Sequence, residues 1–224
     1  PLVLGLRDVM DEPSLLAPEW KRKNVMPALE NLYDEIWVYG LPQICDPLAE
    51  IDLSPKIRRK MVFTGYLRRE NAGGAPTIDH AIPFDRPYLL VTPGGGGDGE
   101  ALVDWVLRAY ETDSSVPYPA LLVFGPFMQQ EKQAEFARRA AALDLVEAIT
   151  FEANIEPLIQ GAAGIVAMGG YNTFCEILSF DKPALVVPRT VPRMEQYIRA
   201  DRAQELGLLR MLVDDGVRNA QEMA

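Results

Sequence analysis

The chain has 224 residues, of which 48% are hydrophobic and 24% charged, with 17 glycines and 18 prolines. This composition is typical of a globular protein and argues against a disordered or fibrous chain. The formal net charge of −10 excludes a broad basic surface for nucleic acid or anionic membranes, so any anionic ligand must be held by local features.

Location and redox state are also constrained by the composition. The apolar runs are too short to cross a bilayer and no signal-peptide pattern opens the chain, so we expect a cytoplasmic protein without a transmembrane segment. Cys45 and Cys175 lie far apart and His80 is the single histidine. We therefore expect reduced thiols and no metal site. Residues 1–6 form an apolar, strand-like run with no initiator Met and no polar residues before it, which predicts that the chain is a fragment of a longer one.

Strand and helix patterns alternate along the chain. Short runs of β-branched and aromatic residues predict strands, and apolar spacings of three and four predict helices. In chain order the predicted elements are strand 2–6, helix 19–33, strand 36–40, strand 61–64, strand 88–92, helix 97–111, strand 120–124, helix 128–143, strand 147–151, helix 155–160, strand 164–168, helix 171–180, strand 184–188 and helix 192–206.

Several predicted strands are almost continuously apolar, as strands covered by helices on both faces must be. The pattern predicts an α/β fold with a doubly wound parallel sheet. A segment rich in glycine and proline interrupts the alternation and predicts a linker at residues 65–86. We therefore predict the end of one domain at residues 1–64 and one nearly complete domain at residues 87–224.

A run of glycines follows the strand that ends at Thr92. Gly94, Gly96 and Gly99 match G-x-G-x-x-G, and glycines at such a turn let the backbone approach an anion at the helix start. The next strand ends in 123–126 without the acidic residue that a dinucleotide fold uses to hold the ribose, so NAD is disfavoured as a cofactor. The alternative is a tight turn that binds no ligand.

Two further motifs follow predicted strands. Gly169 and Gly170 open a helix in which Glu176 is well placed to accept hydrogen bonds from sugar hydroxyls, although an exposed helix glutamate is the alternative. The loop before the helix at 192–206 leads to Glu195 and Gln196, with Arg189 and Arg193 available to phosphate. In parallel sheets such loops meet at the carboxyl ends of the strands, which predicts one shared site.

Together, the motifs at residues 95–99, 150–152, 169–176 and 195–200 resemble the carboxyl-terminal half of MurG-like GT-B glycosyltransferases of family twenty-eight. The resemblance covers residues 61 to about 212. It implies a GT-B-type Rossmann-like fold, in which residues 1–64 end the amino-terminal, acceptor-side domain and residues 65–86 form the crossover to the carboxyl-terminal nucleotide-sugar-binding domain.

The resemblance also implies a function, which is transfer of a hexose-type sugar, with inversion, from a nucleotide-diphosphate sugar that we expect to be UDP-linked. The nucleotide sugar would be a substrate, with no cofactor and no metal. By the same resemblance, Phe151 and Glu152 would contact the base, Glu176 the ribose, and Glu195 and Gln196 the sugar. The diphosphate would lie against Gly170, Tyr171, Asn172 and Thr173, with Gly97, Asp98 and Arg69 near the phosphates.

The same resemblance places the catalytic base upstream of residue 1, so we expect this chain alone to bind donor without turnover. His80 lies in the linker, where a solvated histidine is the simpler interpretation. The acceptor is unidentified. Any peripheral contact with a membrane surface would be made by the domain that we expect upstream of this chain. Two alternatives keep the fold: a sugar-nucleotide epimerase, and a non-catalytic module that binds a nucleotide sugar or a partner.

Overall fold

The structure is a computed structural model, and it describes residues 1–69, 84–95 and 97–224. By the density of internal contacts the chain divides into two compact units. Unit 1 comprises Pro1–Leu67 and Arg189–Gly207, and unit 2 comprises Arg68–Pro188 and Leu208–Ala224. Within the described residues, no helix is both long enough and apolar enough to span a membrane.

The elements follow one another in an almost regular alternation of strand and helix. In chain order they are β1 (Val3–Arg7), α1 (Pro13–Arg22), α2 (Met26–Asn31), β2 (Glu35–Tyr39), α3 (Pro55–Arg58), β3 (Met61–Phe63), β4 (Leu89–Thr92), α4 (Glu100–Thr112), β5 (Ala120–Val123), α5 (Gln130–Ala140), β6 (Val146–Ile149), α6 (Glu156–Gly161), β7 (Gly164–Ala167), α7 (Tyr171–Ser179), β8 (Ala184–Val186), α8 (Glu195–Glu205), β9 (Arg210–Met211) and α9 (Ala220–Met223).

Every predicted strand is present, with ends that differ by at most two residues. The single helix predicted over 19–33 is wrong, because α1 ends before Asn24, which adopts a left-handed φ of 49°, and α2 begins anew at Met26. The predictions omitted α3, β9 and α9. Elements of two to four residues are too short to show a hydrophobic period.

The sheet of unit 2 is parallel throughout, with the strand order β6-β5-β4-β7-β8-β9. This confirms the predicted doubly wound α/β fold. The chain enters at β4, moves outward through β5 and β6, and then returns to pair β7 with the opposite side of β4. Connections from β4 and β7 therefore leave in opposite directions, which opens a crevice at the carboxyl ends of these strands.

Helices cover this sheet closely. All residues of β5 and β7 are buried, which is the physical reason for their continuous apolar sequence. Trp105 of α4 and Phe136 of α5 are fully buried in a core cluster of unit 2. The indole N–H of Trp105 donates to the carbonyl of Asn219 at 2.7 Å, so this buried polar group is satisfied.

Unit 1 contains a three-stranded parallel sheet in the order β1-β2-β3. Its core includes a buried ion pair between Asp8, directly after β1, and Arg199 of α8. Arg199 Nε lies 2.7 Å from Asp8 Oδ2 and Nη2 lies 2.8 Å from Oδ1, and the Tyr66 hydroxyl donates to Oδ2 at 2.7 Å. Burial alone lowers the pKa of the Arg199 guanidinium, but the hydrogen bond and charge of Asp8 outweigh this and raise the pKa.

The grouping of residues 189–207 differs from the predicted domain boundary, which kept them with residues 87–224. Besides the Asp8 pair, the Met194 amide donates to Asp11 Oδ1 at 3.1 Å and Arg202 Nε donates to the Gln43 carbonyl at 2.7 Å. These bonds attach α8 to the first 67 residues. Long-range side-chain contacts of this kind leave no local signal in the sequence.

Removal of the Arg199 guanidinium is expected to lower the free energy of unfolding of unit 1. Arg199→Ala leaves Asp8 buried without its counter-charge, which costs about 3–5 kcal/mol of unfolding free energy. Arg202→Ala is the matched control on the same helix, because that side chain is 46% exposed and should change stability by no more than about 1 kcal/mol. Denaturant titration followed by circular dichroism measures both, and equal effects would contradict a special role for the buried pair.

Candidate functional site

The crevice at the reversal of strand order in unit 2 holds a cavity of 190 Å³, which we call the switch-point cleft. Its walls come from the last residues of β4 and β5, from the segments that follow β4, β5 and β6, and from the first turns of α7. The lining residues are Thr92, Gly94, Gly95, Val123, Gly125, Pro126, Phe151, Glu152, Ile155, Asn172, Thr173 and Glu176.

Backbone forms much of one wall of the cleft. Gly125 has a φ of +93°, and a Cβ atom built on it would lie 2.5 Å from the carbonyl oxygen of Gly94. The loops after β4 and β5 therefore approach each other as closely as backbone allows, and only glycine fits at Gly125. Thr92 Oγ1 accepts the Gly94 amide at 3.3 Å. The site prediction omitted Thr92 and Gly125, although the Gly-Pro pair after β5 was a usable signal.

The first turn of α7 forms a second wall. Gly169 has a φ of +75°, and a Cβ there would lie 2.6 Å from Val186 Cγ1, so this turn also requires glycine. Gly170 caps the helix without a side-chain hydrogen bond, and Tyr171 is the first helical residue. The next two amides, of Asn172 and Thr173, have no acceptor inside the helix and lie at the positive end of its dipole. This wall can hold an anion.

Glu176 carries the carboxyl group of this wall. Its side chain is half-buried and makes no hydrogen bond or ion pair within the described residues. Burial raises the pKa of the carboxyl to about 7, the charge of Arg69 acts to lower that pKa, and Glu156 acts to raise it. A carboxylate held without a partner inside a cleft is available to accept hydrogen bonds from a ligand.

Phe151 and Glu152 follow β6, which ends at Ile149, two residues before the predicted end of that strand. The Phe151 ring is 47% exposed and lines the cleft, so a flat apolar surface faces the ligand space. Glu152 is buried, and its Oε1 accepts the amide of Asn154 at 3.0 Å. The Glu152 carboxylate therefore orders its own loop.

Other predicted residues lie elsewhere in unit 2. Gly97 and Asp98 line a separate groove beside α4 and α5, together with Lys132. The backbone amide of Arg69 donates to Ser179 Oγ at 2.8 Å, near the end of α7. The predictions for Gly96 and His80 lie outside the residues that the structure describes, as does most of the linker.

The remaining predicted pair, Glu195 and Gln196, belongs to unit 1. Gln196 is buried, and its Oε1 accepts the amide of Arg189 at 3.1 Å. Glu195 Oε1 accepts from Arg189 Nη2 at 2.8 Å, whereas its Oε2 is buried with no hydrogen-bond partner among the described residues. Their contact with a sugar stays a prediction.

Metal-binding groups do not cluster in the described part of the chain. Across residues 1–69, 84–95 and 97–224, no three His, Cys, Asp or Glu side chains are arranged to hold a metal ion. Neither Cys45 nor Cys175 takes part in a disulfide within the described residues, and Cys175 is buried.

Comparison with known proteins gives consistent matches. The family model for the glycosyltransferase family 28 C-terminal domain matches residues 89–219. A protein of Methanosarcina acetivorans described as an uncharacterized glycosyltransferase is 30% identical over 175 residues, which cover 78% of this chain and 42% of that protein. A second, from Methanosarcina mazei, is 29% identical with the same coverage. The chain thus spans about two-fifths of the length of these relatives.

Solved structures agree on the fold. The glycosyltransferase of kitacinnamycin superposes with a TM-score of 0.65 at 15% identity, covering 100% of this chain and 60% of that one. MurG of Acinetobacter baumannii superposes with a TM-score of 0.56 at 18% identity, covering 86% of this chain and 54% of that one. These similarities confirm the predicted Rossmann-like GT-B architecture.

A methyl group at Gly125 is expected to disturb the cleft. Gly125→Ala forces a clash with Gly94 at a left-handed φ and should cost about 1–3 kcal/mol. Gly95→Ala is the matched control, because a Cβ on Gly95 meets nothing within 4 Å. Thermal unfolding measures both variants, and a Gly125→Ala protein as stable as Gly95→Ala would contradict the close approach of the two loops.

Glu176 should make stability depend on pH. The folded-state pKa of Glu176, about 7, lies above the ordinary value of 4.5. The contribution of Glu176 to the free energy of unfolding is therefore fully present below pH 4.5 and is lost as pH rises through about 7. The stability of Glu176→Gln relative to the wild type, measured as the free energy of unfolding, should therefore rise by about 1–2 kcal/mol from acid to alkaline pH, after allowance for solvent screening. Unfolding midpoints across that range measure the gain, and a difference that stays constant with pH would contradict the raised pKa.

Proposed function

Because its residues 89–219 match the C-terminal domain of glycosyltransferase family 28, the chain belongs to that family, and we propose that it binds the nucleotide-diphosphate sugar donor of a sugar-transfer reaction in the switch-point cleft. One observation carries the proposal: the Glu176 carboxyl, which accepts no hydrogen bond within the described residues, lies in the same cleft as Asn172 and Thr173 of the first turn of α7, whose amides have no acceptor inside the helix. A ligand that joins an anion to a pair of hydroxyl groups satisfies both.

The diphosphate is proposed to bind at the start of α7. The net charge is −10, and the described residues that line the cleft include the carboxyl-bearing Glu152 and Glu176 but no lysine or arginine. Amides that point out of a helix N-terminus attract phosphate without a cationic side chain. Gly170, Tyr171, Asn172 and Thr173 are the residues at this turn.

The nucleoside is proposed to lie between Glu176 and Phe151. A carboxylate accepts hydrogen bonds from both hydroxyls of a ribose, and these charge-assisted bonds are stronger than bonds between neutral groups. The exposed face of Phe151 offers an apolar contact to the base, with the backbone of Glu152 beside it. We propose uracil as the base, so that the donor is a UDP-hexose. This proposal retains Gly97, Asp98 and Arg69 as phosphate neighbours, and it retains Glu195 and Gln196 as sugar contacts.

The reaction is proposed to invert the anomeric carbon. An acceptor hydroxyl loses its proton to a general base and attacks that carbon while the bond to the diphosphate breaks. Negative charge then grows on the departing diphosphate, where preorganised amides stabilise it best. We propose that the base lies upstream of residue 1, that this chain by itself binds donor without turnover, and that the reaction takes place in the cytoplasm on an acceptor still to be identified.

Calorimetric titration tests the donor directly. The folded chain is titrated with UDP, UDP-glucose, UDP-N-acetylglucosamine, GDP-mannose and NAD. UDP and at least one UDP-sugar are expected to bind, and NAD is expected not to bind. A preference for GDP-mannose would change the assigned base, and absence of binding by every nucleoside diphosphate in a folded sample would overturn the proposal.

Glu176→Ala should weaken UDP binding by about 10- to 100-fold, or about 1–3 kcal/mol, because two ribose hydroxyls lose their acceptor. Glu147→Ala is the matched control, since Glu147 is an exposed glutamate on β6 that does not line the cleft. Calorimetry on both variants gives the comparison. Equal affinities for UDP would show that Glu176 makes no contact with the ribose hydroxyls.

A further inference from the structure

Ser179, the last residue of α7, connects the start of the predicted linker at residues 65–86 to this helix. Its hydroxyl donates to the carbonyl of Cys175 at 2.6 Å and accepts the backbone amide of Arg69 at 2.8 Å. Ser179 follows Glu176 by three residues, so the two side chains lie on neighbouring turns of the same helix face. The Ser179 hydroxyl thus holds Arg69 beside the turn that carries the cleft carboxyl group.

Few charged groups act on Glu176. The residues after β4 and β5 that line the cleft are uncharged, the loop after β6 contributes the buried carboxylate of Glu152, and α6 contributes Glu156. Arg69 is the one positive charge acting on the Glu176 carboxyl within the described residues. Burial and Glu156 both oppose ionisation of this group, and Arg69 is what favours it.

We propose that Arg69, held on α7 by Ser179, is a positioning residue that favours ionisation of the Glu176 carboxyl and so sets the pH range in which the switch-point cleft binds a ribose-containing ligand. This inference rests on the proposed function, because it takes Glu176 to be the ribose acceptor. It gives Arg69 a role that does not require contact with phosphate.

The direction of the effect follows from hydrogen-bond chemistry. An ionised carboxylate accepts two hydroxyl hydrogen bonds, whereas a protonated acid keeps less acceptor capacity and forms weaker bonds. Affinity for the ligand should therefore rise with pH as Glu176 ionises. Loss of the Arg69 charge should move this rise to higher pH, since burial then acts on Glu176 with less opposition.

The first experiment measures UDP affinity by calorimetry from about pH 5 to pH 9. In the wild type the affinity should rise with a midpoint at pH about 7. Arg69→Ala should raise the midpoint by about one pH unit and weaken binding about fivefold at neutral pH. Arg69→Lys keeps the charge and should keep the midpoint, and Arg68→Ala is the control for loss of a neighbouring arginine. Glu176→Gln supplies the baseline, because any pH dependence left in it belongs to UDP.

Ser179 variants test the positioning step. Ser179→Ala removes the acceptor of the Arg69 amide and should shift the midpoint in the same direction as Arg69→Ala, but by less. Ser179→Thr retains a hydroxyl and should restore the wild-type midpoint. A Ser179→Ala midpoint identical to that of the wild type would show that Arg69 does not depend on this hydrogen bond.

Two outcomes would overturn the inference for Arg69. If Arg69→Ala weakens UDP binding equally at every pH, Arg69 acts on the phosphates alone, and if it changes nothing, Arg69 has no role. Carbon-13 NMR titration of the Glu176 carboxyl in the ligand-free chain separates this inference from the proposed function. Should the wild type bind no UDP, the proposed function fails, while the NMR midpoints of wild type and Arg69→Ala still decide whether Arg69 controls Glu176.

Discussion

The reversal of strand order at β4 is the constraint on which the functional half of this protein depends. Because β4 pairs with β5 on one side and β7 on the other, the chain segments that follow β4 and β7 diverge and leave space at the carboxyl end of the sheet. The glycine turn after β4 and the start of α7 face that space. Neither motif forms a cleft alone, since each needs the opposite wall that the reversal supplies.

Electrostatics in this protein depend on burial more than on the number of charged residues. An acidic chain with net charge −10 offers an anion the backbone amides of α7, while burial brings the pKa of Glu176 to about 7, close to the pH at which its charge would be used. In unit 1, the buried Arg199 guanidinium keeps its charge against the effect of burial, because Asp8 supplies the counter-charge and hydrogen bonds that water would otherwise provide.

The fold was largely predictable because its strands and longer helices carry their own periodic patterns. The strands of both sheets and the parallel, doubly wound architecture followed from apolar runs separated by helical spacing. The break near Asn24 was missed because apolar spacing continues across it, although the chain turns there with a left-handed residue. At the site, Phe151, Glu152, Asn172, Thr173 and Glu176 were predicted and line one cleft, whereas Gly97 and Asp98 line another groove.

By itself, the sequence determined the chemistry available to this protein: glycines where backbone must approach a ligand, a helix start without a side-chain cap, and a glutamate on the same helix. Family membership rests on the same residues, since residues 89–219 contain these motifs. Only the tertiary structure decided which groups meet. Three contacts join residues that lie far apart in the chain: the close approach of Gly125 to Gly94, the hydrogen bond from the Arg69 amide to Ser179, and the buried ion pair of Arg199 with Asp8. Packing creates these contacts, and packing leaves no local pattern in a single sequence.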